Sequence, residues 1–134
     1  MATGLIASRP TKIGDVLKHE YDPCTGYCRT LGTVTVPAGG LSIGAVLEST
    51  SVVGKFTLVA EATTANADAV LIDVRVNDET VVGGDFELAV LTRGPAQVAD
   101  DSLTFAADID TPAKREAAFA ALTESTGIEV LQQV

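Results

Sequence analysis

The chain has 134 residues, enough for one domain whose core needs neither disulfide nor metal to close it. Its apolar residues are mainly Ala and Val, aromatics make up 4% and tryptophan is absent, a composition suited to close-packed strands. No run nears the roughly 18 apolar residues of a membrane span, the N-terminus predicts no secretory signal, and a net charge of −9 argues against a nucleic-acid partner.

The charge is unevenly placed. Residues 1–18 carry Arg9, Lys12 and Lys18 against Asp15, whereas the remainder carries six basic and 17 acidic residues. A mildly basic arm is thus joined to an acidic body, and repulsion between such bodies favours solubility. Residues 1–12 read as an extended segment with Leu5-Ile6 as its apolar anchor, followed by a short strand at Gly14–Tyr21. Tyr21-Asp22-Pro23-Cys24-Thr25-Gly26 is rich in turn formers.

In Thr33-Val34-Thr35-Val36 the valines alternate with threonines, the pattern of a strand with one buried face. Pro37-Ala38-Gly39-Gly40 ends it. Further strands are predicted at Ala45–Glu48 and at Lys55–Ala60, where Phe56, Leu58 and Ala60 share a face, followed by a loop of small residues at Ala62–Asp68. Val70, Ile72, Val74 and Val76 place one apolar face on the next strand, with Asp73 and Arg75 on the other. A turn at Asn77-Asp78, a return strand at Thr80–Val82 and a bend at Gly83-Gly84 come next. Phe86, Leu88 and Val90 then face inward on the longest strand, which turns at Arg93-Gly94-Pro95. Strands recurring about every ten residues with turns between them indicate a sandwich or barrel.

One helix follows. Thr111 is placed to cap it, Pro112 occupies its first position and Gly127 stops it. Ala118, Phe119 and Leu122 fall on one face, and Ile128–Val130 forms a last strand. The fold class is mainly β, a small sandwich-like or barrel-like domain with one short C-terminal helix and an extended N-terminal arm.

Several segments in this order resemble a known family. They are Gly14-Asp15-Val16-Leu17 with Glu20, Val36-Pro37-Ala38-Gly39-Gly40-Leu41, Gly44-Ala45-Val46-Leu47 and Ala69-Val70-Leu71-Ile72-Asp73. Val90-Leu91-Thr92-Arg93-Gly94-Pro95-Ala96, Ala120-Ala121-Leu122 and Gly127-Ile128 complete the set. Together they are similar to the head decoration proteins of tailed bacteriophages, lambda type, over nearly the whole chain. The resemblance implies a β-tulip-type domain and a structural virion protein made in the host bacterial cytoplasm. It implies homotrimers bound to the major capsid protein on the outer surface, at local threefold positions, stabilising the expanded head. It also implies an arm that orders on docking. Residues 1–18 are then the arm and 19–134 the decoration domain. The capsid-binding residues expected are Thr3, Gly4, Leu5, Ile6, Ala7, Ser8, Arg9, Pro10, Thr11, Lys12, Ile13, Gly14, Asp15 and Val16. Pro37, Ala38, Gly39 and Gly40 form a plain turn or a trimer or capsid loop. The segment Cys24-Thr25-Gly26-Tyr27-Cys28 departs from the family pattern.

The physics of such an arm is independent of the name. An extended segment can add a strand to an exposed sheet edge, with backbone hydrogen bonds giving affinity. Ordering it costs entropy, which three arms on one trimer offset by avidity of roughly 10²–10⁴.

Catalytic signatures are missing from the sequence. The single histidine is His19, and neither a Gly-x-Ser-x-Gly elbow nor a phosphate-cradling glycine loop occurs. His19, Cys24 and Cys28 could hold zinc with Asp22 or water; Cys24 and Cys28 could form a disulfide; two free thiols is the simplest state. Asp100-Asp101 and Asp108-x-Asp110 lack the glycine and closing glutamate of a calcium loop and read as solvated acids and helix-start carboxylates. No cofactor is expected. The competing functions are another non-enzymatic virion module, such as a head fibre base or tail-associated part, and a small metal- or ligand-binding β domain.

Overall fold

The computed structural model describes residues 12–22 and 26–132. In chain order the elements are α1 (Ile13–Val16), β1 (Leu17–Glu20), β2 (Arg29–Val36), β3 (Val46–Ser49), β4 (Lys55–Leu58), β5 (Ala67–Leu71), β6 (Gly84–Leu91), β7 (Ala96–Ala99), α2 (Pro112–Thr126) and β8 (Ile128–Leu131). Short 3₁₀ turns lie at Glu61–Asn66, Val74–Asn77 and Asp100–Ser102. A mainly β domain with one longer C-terminal helix is the fold that the strand spacing indicates.

Five strands close a barrel in the order β2-β4-β3-β5-β6. Its backbone seam is the antiparallel ladder between β2 and β6, which runs from Arg29 opposite Leu91 to Val36 opposite Gly84. Inward positions on both strands are apolar: Val34, Val36, Leu88 and Val90 are buried, with Phe86 partly so. Gly32 lies on the inner face because the Phe56 ring occupies the space that a Cβ would take. The barrel closes through a parallel pairing of β2 with β4, and closure leaves no free edge in this part of the molecule.

The other three strands form a separate sheet, β1-β7-β8. Central β7 pairs antiparallel with β1 and parallel with β8. The helix α2 starts at Thr111, whose hydroxyl accepts the Lys114 amide at 3.4 Å, and ends at Gly127 with φ of 78°. Ala118 and Leu122 are buried beneath it, and Phe119 packs on Phe105 with centroids 5.7 Å apart. Helix and adjoining strands thus cover one side of a continuous core.

Four local expectations are corrected. The strand expected at Gly14–Tyr21 begins only at Leu17, because the Asp15 carboxylate accepts the Lys12 amide at 2.9 Å and bends 13–16 into a helical turn. The apolar face predicted from Val70 to Val76 is interrupted. Asp73 accepts the Arg75 amide at 2.9 Å, ends β5 and starts a 3₁₀ turn, leaving Val74 58% exposed while Ile72 and Val76 are buried. Thr80–Val82 forms no strand; Asp78 accepts both the amide and the hydroxyl of Thr80 at 2.8 Å and holds a turn. The loop at Ala62–Asp68 is a 3₁₀ turn through Asn66, and Ala67 and Asp68 already belong to β5.

Candidate docking surface

The described chain begins at the root of the predicted arm. Residues Thr3 to Thr11 lie outside the described residues; Lys12, Ile13, Gly14, Asp15 and Val16 form the capped turn α1. Lys18 Nζ donates to the Gly14 carbonyl at 2.9 Å. Val16 has no exposed surface. It packs beside Gly44, whose φ of 98° and missing Cβ let the Ser102 carbonyl approach the backbone. The turn therefore wedges between barrel and appended sheet, and Leu17 and Lys18 continue from it into β1.

The far end of β1 is tied to the barrel by charge. Glu20 is buried and accepts from Arg29 Nε at 3.0 and 3.1 Å and from Arg29 Nη2. Hydrogen bonding to Glu20 raises the Arg29 pKa further above its ordinary value. The Tyr21 amide donates to Pro95 O at 2.8 Å, and the Thr92 amide to Cys28 O at 2.9 Å. Around this junction Tyr21 and Tyr27 meet edge to face at 5.5 Å, and Arg93 lies 4.1 Å from the Tyr27 ring centroid. Both tyrosines are exposed. Exposed Tyr and Arg are residue types enriched where binding energy concentrates. Tyr27 and Arg93 belong to different sequence segments; the ladder joining β2 to β6 brings them near each other, and Arg93 Nε donates to the Tyr27 carbonyl at 2.6 Å.

The three residues weighed as metal ligands are distributed differently. His19 is exposed on β1. Cys28 is a buried free thiol that donates toward Tyr21 O at 3.6 Å and Pro95 O at 3.5 Å. Cys24 lies outside the described residues. Among the described residues there is no group of three His, Cys, Asp or Glu side chains arranged to hold a metal ion.

Pro37-Ala38-Gly39-Gly40 is a turn at the opposite end of β2. Its Pro37 carbonyl accepts the Gly40 amide at 2.9 Å and the Gly83 amide at 3.1 Å. Pro37, Ala38 and Gly39 are exposed, and Val82 stands beside them at Gly40. Sequence reading missed the loop tip between β3 and β4, where Val52 is 58% and Val53 fully exposed. The Thr33 amide bonds to Gly54 O at 2.9 Å, which sets this tip near exposed Leu31. Its signal in the sequence was Val52-Val53 standing directly before Gly54, an apolar pair inside a turn.

Outward positions on β2 and β6 between Thr33 and Thr35 and between Asp85 and Glu87 are polar. Asp85 accepts the Thr35 hydroxyl at 2.8 Å and pairs with Lys55 at 3.1 Å, and these contacts lower its pKa. Asp73 is the exception in being buried. Its carboxylate receives Arg75 Nε at 3.0 Å and the Ala89 amide at 2.9 Å, while Arg75 Nη2 reaches Glu87 O at 3.0 Å. Hydrogen bonding from Arg75 outweighs burial and lowers the Asp73 pKa to about 2. This pair fastens the turn after β5 to the outer side of β6 rather than presenting a reactive group. No helix among the described residues is long and apolar enough to cross a membrane.

Residues 6–128 match the family model described as bacteriophage lambda head decoration protein D. No curated protein matches the chain.

Proposed function

Since the chain belongs to the bacteriophage lambda head decoration protein family, we propose that it acts as a homotrimer on the outer surface of the mature capsid. It binds at local threefold positions and stabilises the expanded head without catalysing a reaction. The family is a structural one and locates the protein to the phage capsid. The finer assignment draws its support from one observation: Lys12–Val16 is a capped turn whose Val16 is fully buried, which anchors the described start of the chain to the body.

In this reading Thr3–Thr11 supply the strand that pairs with the shell, and Lys12–Val16 transmit its pull to the body. A root anchored by the buried Val16 resists extraction, because removing Val16 exposes apolar surface. The cyclic trimer matches a threefold site and engages three arms at once. The Tyr21–Tyr27–Arg93 cluster, the Pro37–Gly40 turn and the Val52-Val53 tip are the surfaces available to neighbouring subunits or to the shell. Synthesis in the host cytoplasm fits a buried thiol at Cys28 kept reduced until lysis.

Co-sedimentation with expanded heads tests the arm. The full chain is expected to pellet with heads, and a chain lacking residues 1–11 to remain in the supernatant. Equal loading of both would remove the arm from the account. Mass measurement in solution and on the shell tests the trimer.

A further inference from the structure

Of the seven large apolar side chains exposed among the described residues, five lie along one strip of the surface. The strip begins where Tyr21, at the end of β1 away from α1, meets Tyr27, and it continues along the outer face of β2. Gly32, Val34 and Val36 are buried on that strand, so Leu31 points outward and is 61% exposed. Parallel pairing sets Lys55 opposite Thr33, and the same register carried back by two residues sets Val53 beside Leu31. Gly54 O accordingly lies 3.3 Å from where a Gly32 Cβ would stand. Val52 completes the strip at the same turn, which the Lys55 amide closes on Val52 O at 3.1 Å.

An apolar patch of this kind, on the order of a few hundred Å², marks an interaction surface. The cations along it are engaged within the subunit, Arg29 by buried Glu20 and Arg93 by the carbonyl and ring of Tyr27. The chain as a whole carries a net charge of −9, so copies repel one another wherever their acids face. Around a threefold axis every charge meets its own kind twice, and a mostly apolar strip is the surface best able to stand there. Asp22, directly after Tyr21, lies at its margin. In the proposed function the shell pulls on Lys12–Val16, and β1 sets the first residues of the strip about 13 Å along the chain from that root. These observations favour a neighbouring copy, not the shell, as the occupant.

We propose that the strip is the subunit contact of the trimer, with Leu31, Val52 and Val53 of three copies turned toward the threefold axis and Tyr27 and Arg93 against the next copy. The inference rests on the reading of the chain as a homotrimer and names the surface that forms it. Leu31 and Val53 lose their exposed apolar area to their counterparts, which favours association without a charge pair. Tyr27 and Arg93 are of the types on which such contacts concentrate their energy. The contact closes after three copies, so it leaves no open surface for further growth.

The full chain and its variants are weighed by sedimentation equilibrium over a range of concentrations. Leu31→Asp and Val53→Asp are each expected to raise the concentration of half-dissociation at least about hundredfold, because three unpaired carboxylates would be buried together. Their far-UV circular dichroism should stay that of the wild type, since both side chains are exposed on the single subunit. Val82→Asp, at an exposed valine beside Gly40 at the opposite end of β2, should leave the trimer intact. In a Cys24→Ser, Cys28→Ser background, Val53→Cys should be joined between subunits by a short bis-maleimide, in solution and on decorated heads, and Val82→Cys should not. Trimers that persist in both aspartate variants, or a Val53→Cys chain that is never joined, would overturn the proposal and leave the homotrimer standing. Intact trimers of the aspartate variants that no longer load onto heads would also overturn it, by giving the strip to the shell. A wild-type chain that is single in solution and on heads would sink the homotrimer itself, and this contact with it.

Discussion

The five-stranded barrel and the β1-β7-β8 sheet share one core yet solve their backbone pairing differently. The barrel returns its last strand to its first, so its β2–β6 ladder has partners on both sides. The smaller sheet stops at β1 on one side and at β8 on the other. Edge strands of this kind can template further pairing, which closed barrels forgo. The root of the N-terminal segment joins the open sheet, not the barrel. In the proposed function, stability and attachment are therefore served by different parts of the fold, coupled at Val16–Gly44 and at Glu20–Arg29.

The comparison breaks most severely at Asp73. Asp73→Ala strips the acceptor from the partly buried Ala89 amide and releases Arg75, at an expected cost of about 2–3 kcal/mol in denaturant unfolding. Shell loading at low temperature should be retained, since the change lies in the barrel. The same carboxylate gives an acid signature. Its pKa is lowered in the folded state, so its stabilisation is complete above about pH 4 and lost as pH falls through about 2. Up to about 2 kcal/mol should disappear in that window. Asp73→Asn should flatten the profile there, as followed by unfolding at stepped pH.

A truncation series sharpens the boundary between root and arm. Removing residues 1–16 takes Val16 from the core and should cost about 2 kcal/mol. Removing residues 1–11 should cost less than about 1 kcal/mol, because root and core remain. Equal thermal stability of the two truncations would mean that α1 is not a working part of the body.

Smaller effects are expected at the sheet's helix and at the junction. Thr111→Ala removes the helix cap and should cost about 1 kcal/mol, seen as a modest loss of melting temperature. Cys28→Ser should change stability by less than about 1 kcal/mol, because the carbonyls of Tyr21 and Pro95 already stand where a hydroxyl can donate.

Local physics made much of this fold legible. Thr111, Pro112 and Gly127 bracket α2 by stereochemistry that needs no tertiary partner. Alternation marks β2 and β6 because each has one face in the core. The valine run beyond Ile72 misled because alternation carries no information on chain direction, and Asp73 can bond to the amide two residues ahead. The parallel closure of β2 on β4 and the union of Tyr27 with Arg93 depend on pairing between distant segments, which spacing along the chain does not encode. The basic bias of residues 1–18 was readable from charge alone, but the burial of Val16 within them needed the neighbouring Gly44 and Ser102 to be in place.

Imaging of expanded heads incubated with the full chain and with the chain lacking residues 1–11 tests the account most directly. The account predicts trimeric density over the local threefold positions with the full chain, continuous from the root at Lys12 to the shell, and bare positions with the shortened one. Heads left bare by the full chain, or decorated equally by both, would contradict it.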